Sequence, residues 1–331
     1  MSVEIKAVEI KPLRNTFTNV AELIGGDKPA SRYQEATLGN QATAHMHYRP
    51  TWEPEFELFD PRRSAIQMRE WYDLRDPRQL YYSSWTIQRA KEQETQEANF
   101  DFVESRRLHL SLPPDVKKLA VDVLIPLRHA AWGANMNNNE FCSRAFSEVL
   151  ISPAIMQAMD NLGIAQYLTR LGLILDEPEI LDTAKKQWMD SPAWQPLRHM
   201  TEDTFVIRDF MEIFVAQNFV IDGLLYPLIY DRFVDDTLTS RGGSAIAMMT
   251  SFMPLWFGQS SKWVDGVIKV VVAESEHNKA LITQWTTQWR NRTIAALTPI
   301  AAMAFGDHQQ TMLDEVVEQF NARAKKLGMT V

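Results

Sequence analysis

The stretch 205–230, FVIRDFMEIFVAQNFVIDGLLYPLIY, constrains this chain more than any other. It is about seven helical turns long and carries apolar residues on nearly every face: Phe210, Ile213, Phe214, Val215, Phe219, Val220, Ile221, Leu224 and Leu225. A helix apolar all round must sit inside a large core or a membrane. Arg208, Asp209, Glu212, Gln217, Asn218 and Asp222 interrupt it and argue for the core of a globular protein. Gln217, Asn218 and Asp222 must then find polar partners inside that core. Pro227 is the first expected breaker.

The rest of the chain is read around that helix. With 331 residues it can bury a sizeable core as one large domain or two smaller ones. Only 13 glycines and few alternating runs speak against a large sheet, so the expected fold is all-α. A net charge of −8 argues against a nucleic-acid face. The single cysteine, Cys142, excludes an internal disulfide framework and fits a reducing cytoplasm. The N-terminal MSVEIKAVEIKPLRN has no apolar core of a signal peptide.

Residues 1–78 differ in character from the remainder of the chain. Prolines and Gly25-Gly26 cut the pattern repeatedly, so no long helix fits, and 14–20 and 32–39 have a turn-and-strand look. Yet Trp52, Phe56, Phe59, Trp71 and Tyr72 are too much aromatic surface for a solvated tail. The segment reads as an extended arm lying on its own domain or on a partner, with Trp52, Phe56 and Phe59 as interface candidates. The helical domain spans 79–331. Its predicted helices cover 80–110 (Trp85, Ala90, Phe100 and Val103 inward), 115–145 (capped by Asp115, bent at Pro126) and 152–171 (opened by Ser152-Pro153). Two short helices come next, at 178–189 and 192–199, then the central helix at 201–230. The remaining three cover 244–257, a long stretch opened by Ser260-Ser261 and running past Trp285, and 307–327. That is enough for a large bundle.

The chemistry-bearing motifs are sparse. There is no Gly-rich phosphate loop and no GxSxG elbow. Cys142 lies mid-helix among apolar residues and reads as an inert buried thiol. Glu274 and His277 form one Glu-x-x-His pair on a helix face, a fraction of a di-iron ligand set, and a solvated face is the preferred reading. His45 and His47 sit in a loop without a nearby acidic ligand. His129 reads as a hydrogen-bonded core histidine.

In order, LIPLRHAAWGANMNNNEF, ISPAIMQAMDNLGIAQYLTRLG and EIFVAQNFVIDGLLYPLIYDRF resemble the β subunit of bacterial multicomponent monooxygenase hydroxylases, nearest the phenol hydroxylase branch. The resemblance covers essentially the whole chain. It implies a ferritin-like helical bundle inside an (αβγ)2 hydroxylase, with the di-iron site in the catalytic α subunit and a small γ subunit. It also implies an effector protein and a reductase carrying FAD and an iron–sulfur cluster and fed by NADH. No metal, cofactor or catalytic residue is then expected in this chain, and no nucleic-acid or membrane partner. By register, the α subunit's first glutamate position falls at His129, its first Glu-x-x-His at Asn161 and Ile164, its second glutamate at Gln217, and its last pair near Ser251 and Pro254. Amides, an isoleucine and a proline do not supply the anionic oxygens that iron needs. Gln217 and Asn161 can instead satisfy one another or nearby backbone. The alternatives are a self-sufficient di-iron protein of the ribonucleotide reductase small-subunit type, which needs four carboxylates and two histidines converging in the bundle, and a non-enzymatic helical scaffold.

Overall fold

The computed structural model describes residues 13–40 and 49–331, and every regular element among them is helical. His45 and His47 lie outside the described residues. In chain order the helices are α1 (Thr18–Ile24), α2 (Arg32–Thr37), α3 (Tyr82–Ser105), α4 (Pro114–Leu124), α5 (Leu127–Arg144), α6 (Glu148–Leu175), α7 (Ile180–Asp190) and α8 (Gln195–Thr204). The central helix is next, and in it α9 (Phe210–Phe214) and α10 (Asp222–Tyr226) alternate with π-helical turns at Val215–Ile221 and Pro227–Leu238. Then come α11 (Ser244–Thr250), α12 (Phe252–Glu274), α13 (Glu276–Phe305) and α14 (Gln309–Lys326).

The central helix is buried on all sides. From Phe210 to Tyr230 only Glu212 and Pro227 are partly exposed. By length and composition it could cross a membrane, so the charges do not exclude that reading as the sequence suggested. Its most apolar window is 94% buried within the fold, and protein occupies its apolar faces. α5, α12, α13 and α14 surround it. Gly223 admits the α14 crossing, since a Cβ there would stand 3.1 Å from the Phe320 ring.

Several boundaries depart from expectation for physical reasons. The central helix starts at Asp209, not Thr201: its carboxylate caps the amides of Met211 (2.9 Å) and Glu212 (3.2 Å). Pro227 does not break it, because the i→i+5 register begins there and absorbs the missing N–H. Asp115 is not the N-cap: Pro113 precedes the helix, and Asp115 lies in its first turn and bonds Arg241 (2.6 Å). Pro126 separates α4 from α5. α6 starts a turn before Ser152 and carries Pro153 inside. The long helix expected from Ser260 begins at Phe252 and ends at Ser275, whose side chain caps α13. In α3, Ala90 faces solvent and Arg89 faces inward.

The arm also differs. The stretches read as turn-and-strand contain the short helices α1 and α2, and Ser31 and Gln34 form a capping box on the second. Tyr33, Leu38, Ile66, Trp71 and Leu74 are buried in this chain's own core, so much of the arm lies on its own bundle. Residues 64–69 run extended over the start of α9 and the α12–α13 junction. Asp209 accepts from the Ser64 hydroxyl (2.7 Å) and the Ala65 amide (2.6 Å), besides capping its own helix.

Candidate functional site: the polar cavity at the bundle centre

Three helices bring polar side chains to one small cavity inside the bundle. α6 supplies Asn161 and Ile164, the central helix supplies Gln217, Asp222, Tyr226 and Tyr230, and α8 supplies Thr201. Ala130, Ala131 and Ala134 of α5 form the facing wall. Small residues at that wall reflect close packing: a Cβ on neighbouring Gly133 would come within 2.4 Å of the Thr201 methyl. The cavity volume is about 20 Å³.

Gln217 is the hub. Its Oε1 accepts from Asn137 Nδ2 (2.8 Å) and its Nε2 donates to Asp222 Oδ1 (2.8 Å). Asn137 Nδ2 also donates to Thr204 (2.7 Å), and the next residues in the two helices, Asn138 and Asn218, exchange amide bonds at 3.1 and 3.0 Å. Asp222 has no charged partner among these bonds. Burial drives its carboxyl up to about 7, while the Gln217 bond and the more distant Arg323 guanidinium oppose the rise.

Of the first four register positions, Asn161, Ile164 and Gln217 line this cavity and His129 does not. His129 stacks on Trp188 with ring centroids 5.7 Å apart. Burial, followed by the charges of Arg128 and Lys185, lowers it to about 4. Its place in the wall is taken by the alanines that come after it in α5. Asn161 and Gln217 do not satisfy one another: Gln217 bonds Asn137 and Asp222, and neither amide atom of Asn161 has a partner. Ser251 and Pro254 stand at the α11–α12 junction away from the cavity, where the Ser251 hydroxyl bonds the Met248 carbonyl (3.1 Å). Register alone does not mark Asn137 and Asp222 as members of this site; a carboxylate within an apolar helix is the available signal for Asp222, whereas Asn137 is one of a run of asparagines.

Glu274 and His277 do not share a helix face either, because the Ser275 break separates them. Both hold the arm. Glu274 Oε1 accepts from the Arg69 amide (3.0 Å) and Nε (2.9 Å), and His277 Nε2 meets the Ala65 carbonyl at 3.1 Å. Between them Asn278 pairs with both backbone groups of Gln67, at 3.0 and 2.7 Å. Cys142 is half-buried, and burial pushes its thiol up to about 11, far from a reactive thiolate.

A second buried polar set lies one residue from Asn161. Asp160 receives Arg89 Nε (2.8 Å), Arg89 Nη2 (2.6 Å) and Trp85 Nε1 (3.1 Å), tying α6 to α3. Glu92 joins Trp256 Nε1 (2.9 Å) and Gln259 Nε2 (2.7 Å) of α12 to the same set.

The interface candidates are spread over a range of exposure. Trp52 is 71% exposed, whereas Phe56 and Phe59 are half-buried and the Arg63 guanidinium lies over the Phe56 ring at 4.9 Å. A larger exposed apolar area lies on the α5–α6 hairpin. Asn135 Nδ2 bonds the Ala158 carbonyl (2.7 Å) and fixes the register there. Trp132 and Met136 of α5, and Ile155, Met159 and Leu162 of α6, face outward.

A bundle without a strand among the described residues, built around a long buried central helix, is the fold of a ferritin-like hydroxylase component. The chain belongs to the methane/phenol/alkene hydroxylase family, whose model matches residues 52–275. It is 46% identical to the phenol 2-monooxygenase oxygenase component DmpL of Pseudomonas sp. (strain CF600), over 99% of this chain and 98% of that protein. It is 40% identical to the oxygenase component MhpL of the phenol 2-monooxygenase of Acinetobacter pittii (strain PHEA-2), with the same coverage. A crystal structure of phenol hydroxylase from Pseudomonas sp. OX1 superposes with a TM-score of 0.92 at 39% identity, covering 99% of both chains.

Proposed function

We propose that this chain is the non-catalytic structural, β, subunit of the hydroxylase of an NADH-dependent di-iron aromatic monooxygenase acting on phenol and methylphenols. The complex would insert one oxygen atom from O₂ into an aromatic C–H bond in the cytoplasm. Iron would reside in the catalytic α subunit, with a small γ subunit completing the hydroxylase and an effector protein and a reductase serving it. The observation that carries the reading is the donor set of the central cavity. It offers one carboxylate, Asp222, with the amides of Asn161 and Gln217, and no histidine. Two iron ions need several anionic oxygens and imidazoles converging on them, and these residues do not fit that demand. The relatives named as phenol 2-monooxygenase components supply the substrate class.

A structural role needs a surface, and the α5–α6 hairpin offers one. Its outward Trp132, Met136, Ile155, Met159 and Leu162 would pack against the catalytic subunit, with Trp52 of the arm as a further anchor. The test is to purify the assembled hydroxylase, separate its chains, reconstitute each with ferrous iron and measure bound metal. The expected result is stoichiometric iron on the partner and none on this chain. About two irons on this chain, with the absorption band of an oxo-bridged pair, overturns the reading.

A further inference from the structure

At the central cavity, Asn161 is satisfied by none of the bonds above. Asn161 is 0% exposed, lines the cavity, and neither its Nδ2 nor its Oδ1 has a partner in the protein. An amide left unpaired at both ends inside a folded core is costly on both counts. Gln217 does not relieve it: its amide bonds go to Asn137 and Asp222, and none reaches Asn161.

The geometry restricts what can. Nδ2 offers a hydrogen and Oδ1 asks for one, so a single occupant serving both must donate and accept. A metal cation cannot accept from Nδ2, an anion without a hydrogen cannot donate to Oδ1, and an apolar gas does neither. At about 20 Å³ the cavity exceeds the roughly 10–15 Å³ that one water needs and is far below the ~150 Å³ of a dry cavity that takes benzene. Ile164, Leu225 and Ala130 give it an apolar side, while Asp222 and the two tyrosines give it a polar one. We infer that the Asn161 cavity is a binding site for one hydroxylic molecule no larger than methanol, water being the smallest of that class. The inference does not depend on the role proposed above for the chain.

The test uses crystals of the full chain in its native assembly, wild type and Asn161→Leu, in buffer and after a methanol soak. Wild type should show a density peak at hydrogen-bonding distance from the Asn161 amide, about 3 Å, and N161L should lose it. In methanol the peak either stays as a water or gains one atom, and both results support the site. No wild-type peak, in maps that show other buried waters, overturns the inference. So does a peak that persists in N161L. If N161L does not fold, the wild-type density alone decides.

Discussion

Asp160 and Asn161 are adjacent in α6, both are buried, and they enter opposite kinds of polar surroundings. Asp160 turns toward α3 and receives three bonds, two of them from a guanidinium. Asn161 turns toward the bundle centre and receives none from the protein. On the first side charge is matched by charge, and burial raises the Asp160 carboxyl only against the opposing pull of Arg89. On the second side the one charged residue lining the cavity, Asp222, faces amides and is driven up to about 7. A filled polar network fixes how helices sit; a partly filled one leaves room in the core.

The largest effect expected from this contrast is on the Asp160 side. Arg89→Ala removes the guanidinium and strands a buried carboxylate, which should destabilise the chain by about 3–5 kcal/mol. Replacing both partners, with Arg89→Met and Asp160→Leu, should recover much of that loss, because no unpaired charge remains. Denaturant unfolding of the single and double variants measures both. A single variant as stable as wild type would mean that the two sides do not differ as the geometry says.

The Asp222 side should show itself through pH. Its carboxyl titrates near 7 in the folded chain and near 3.8 when unfolded. The folded state therefore holds the proton more tightly, and the buried charge costs nothing below pH ~4. Stability is then lost as pH rises from about 4 to about 7 and stays low above that. Asp222→Asn keeps an acceptor for Gln217 and removes the charge. It should flatten this part of the pH profile and stabilise the chain at pH 8 by up to about 4 kcal/mol. Melting curves of both proteins from pH 4 to 8 check the sign; parallel curves would place the charge elsewhere.

The two sides are not equally legible in sequence. The all-helical bundle and its buried axis are visible in the apolar residues on every face of 205–230, but the start of that axis is not: the expected opening at Thr201 falls within α8, and the cap is Asp209. Arg89 blends into the charged run KEQETQE that comes just after it, and no local rule shows that Asp160, 71 residues away, turns toward it. Register places Asn161, Ile164 and Gln217 around one site. It misplaces His129 because a proline-marked junction precedes α5, and a shift of one or two residues turns a side chain from the cavity to Trp188. The π-helical turns leave no trace in the sequence because an i→i+5 register has no compositional signature of its own.

The comparison extends to the surface, where similar bonds should matter least. Glu274 and His277 hold residues 65–69 of the arm, but the Arg69 side chain is 88% exposed and His277 is open to water. Exposed ion pairs and hydrogen bonds contribute roughly 0–1 kcal/mol, because water replaces them readily. The double variant Glu274→Ala with His277→Ala should therefore lower stability only slightly and leave iron content and turnover of the proposed hydroxylase assembly unchanged. Asn278 sits between the two, fully buried, with both amide atoms bonded to Gln67. Asn278→Ala removes both bonds to the Gln67 backbone and empties the buried space its amide fills, and should cost more than the double variant, about 1–3 kcal/mol. Calorimetry on the chain and iron analysis on the assembly read the two quantities separately. A double variant that loses most of the assembly's iron would make Glu274 and His277 part of a metal site. One that destabilises more than Asn278→Ala would show that burial is not what sets the strength of polar contacts in this chain.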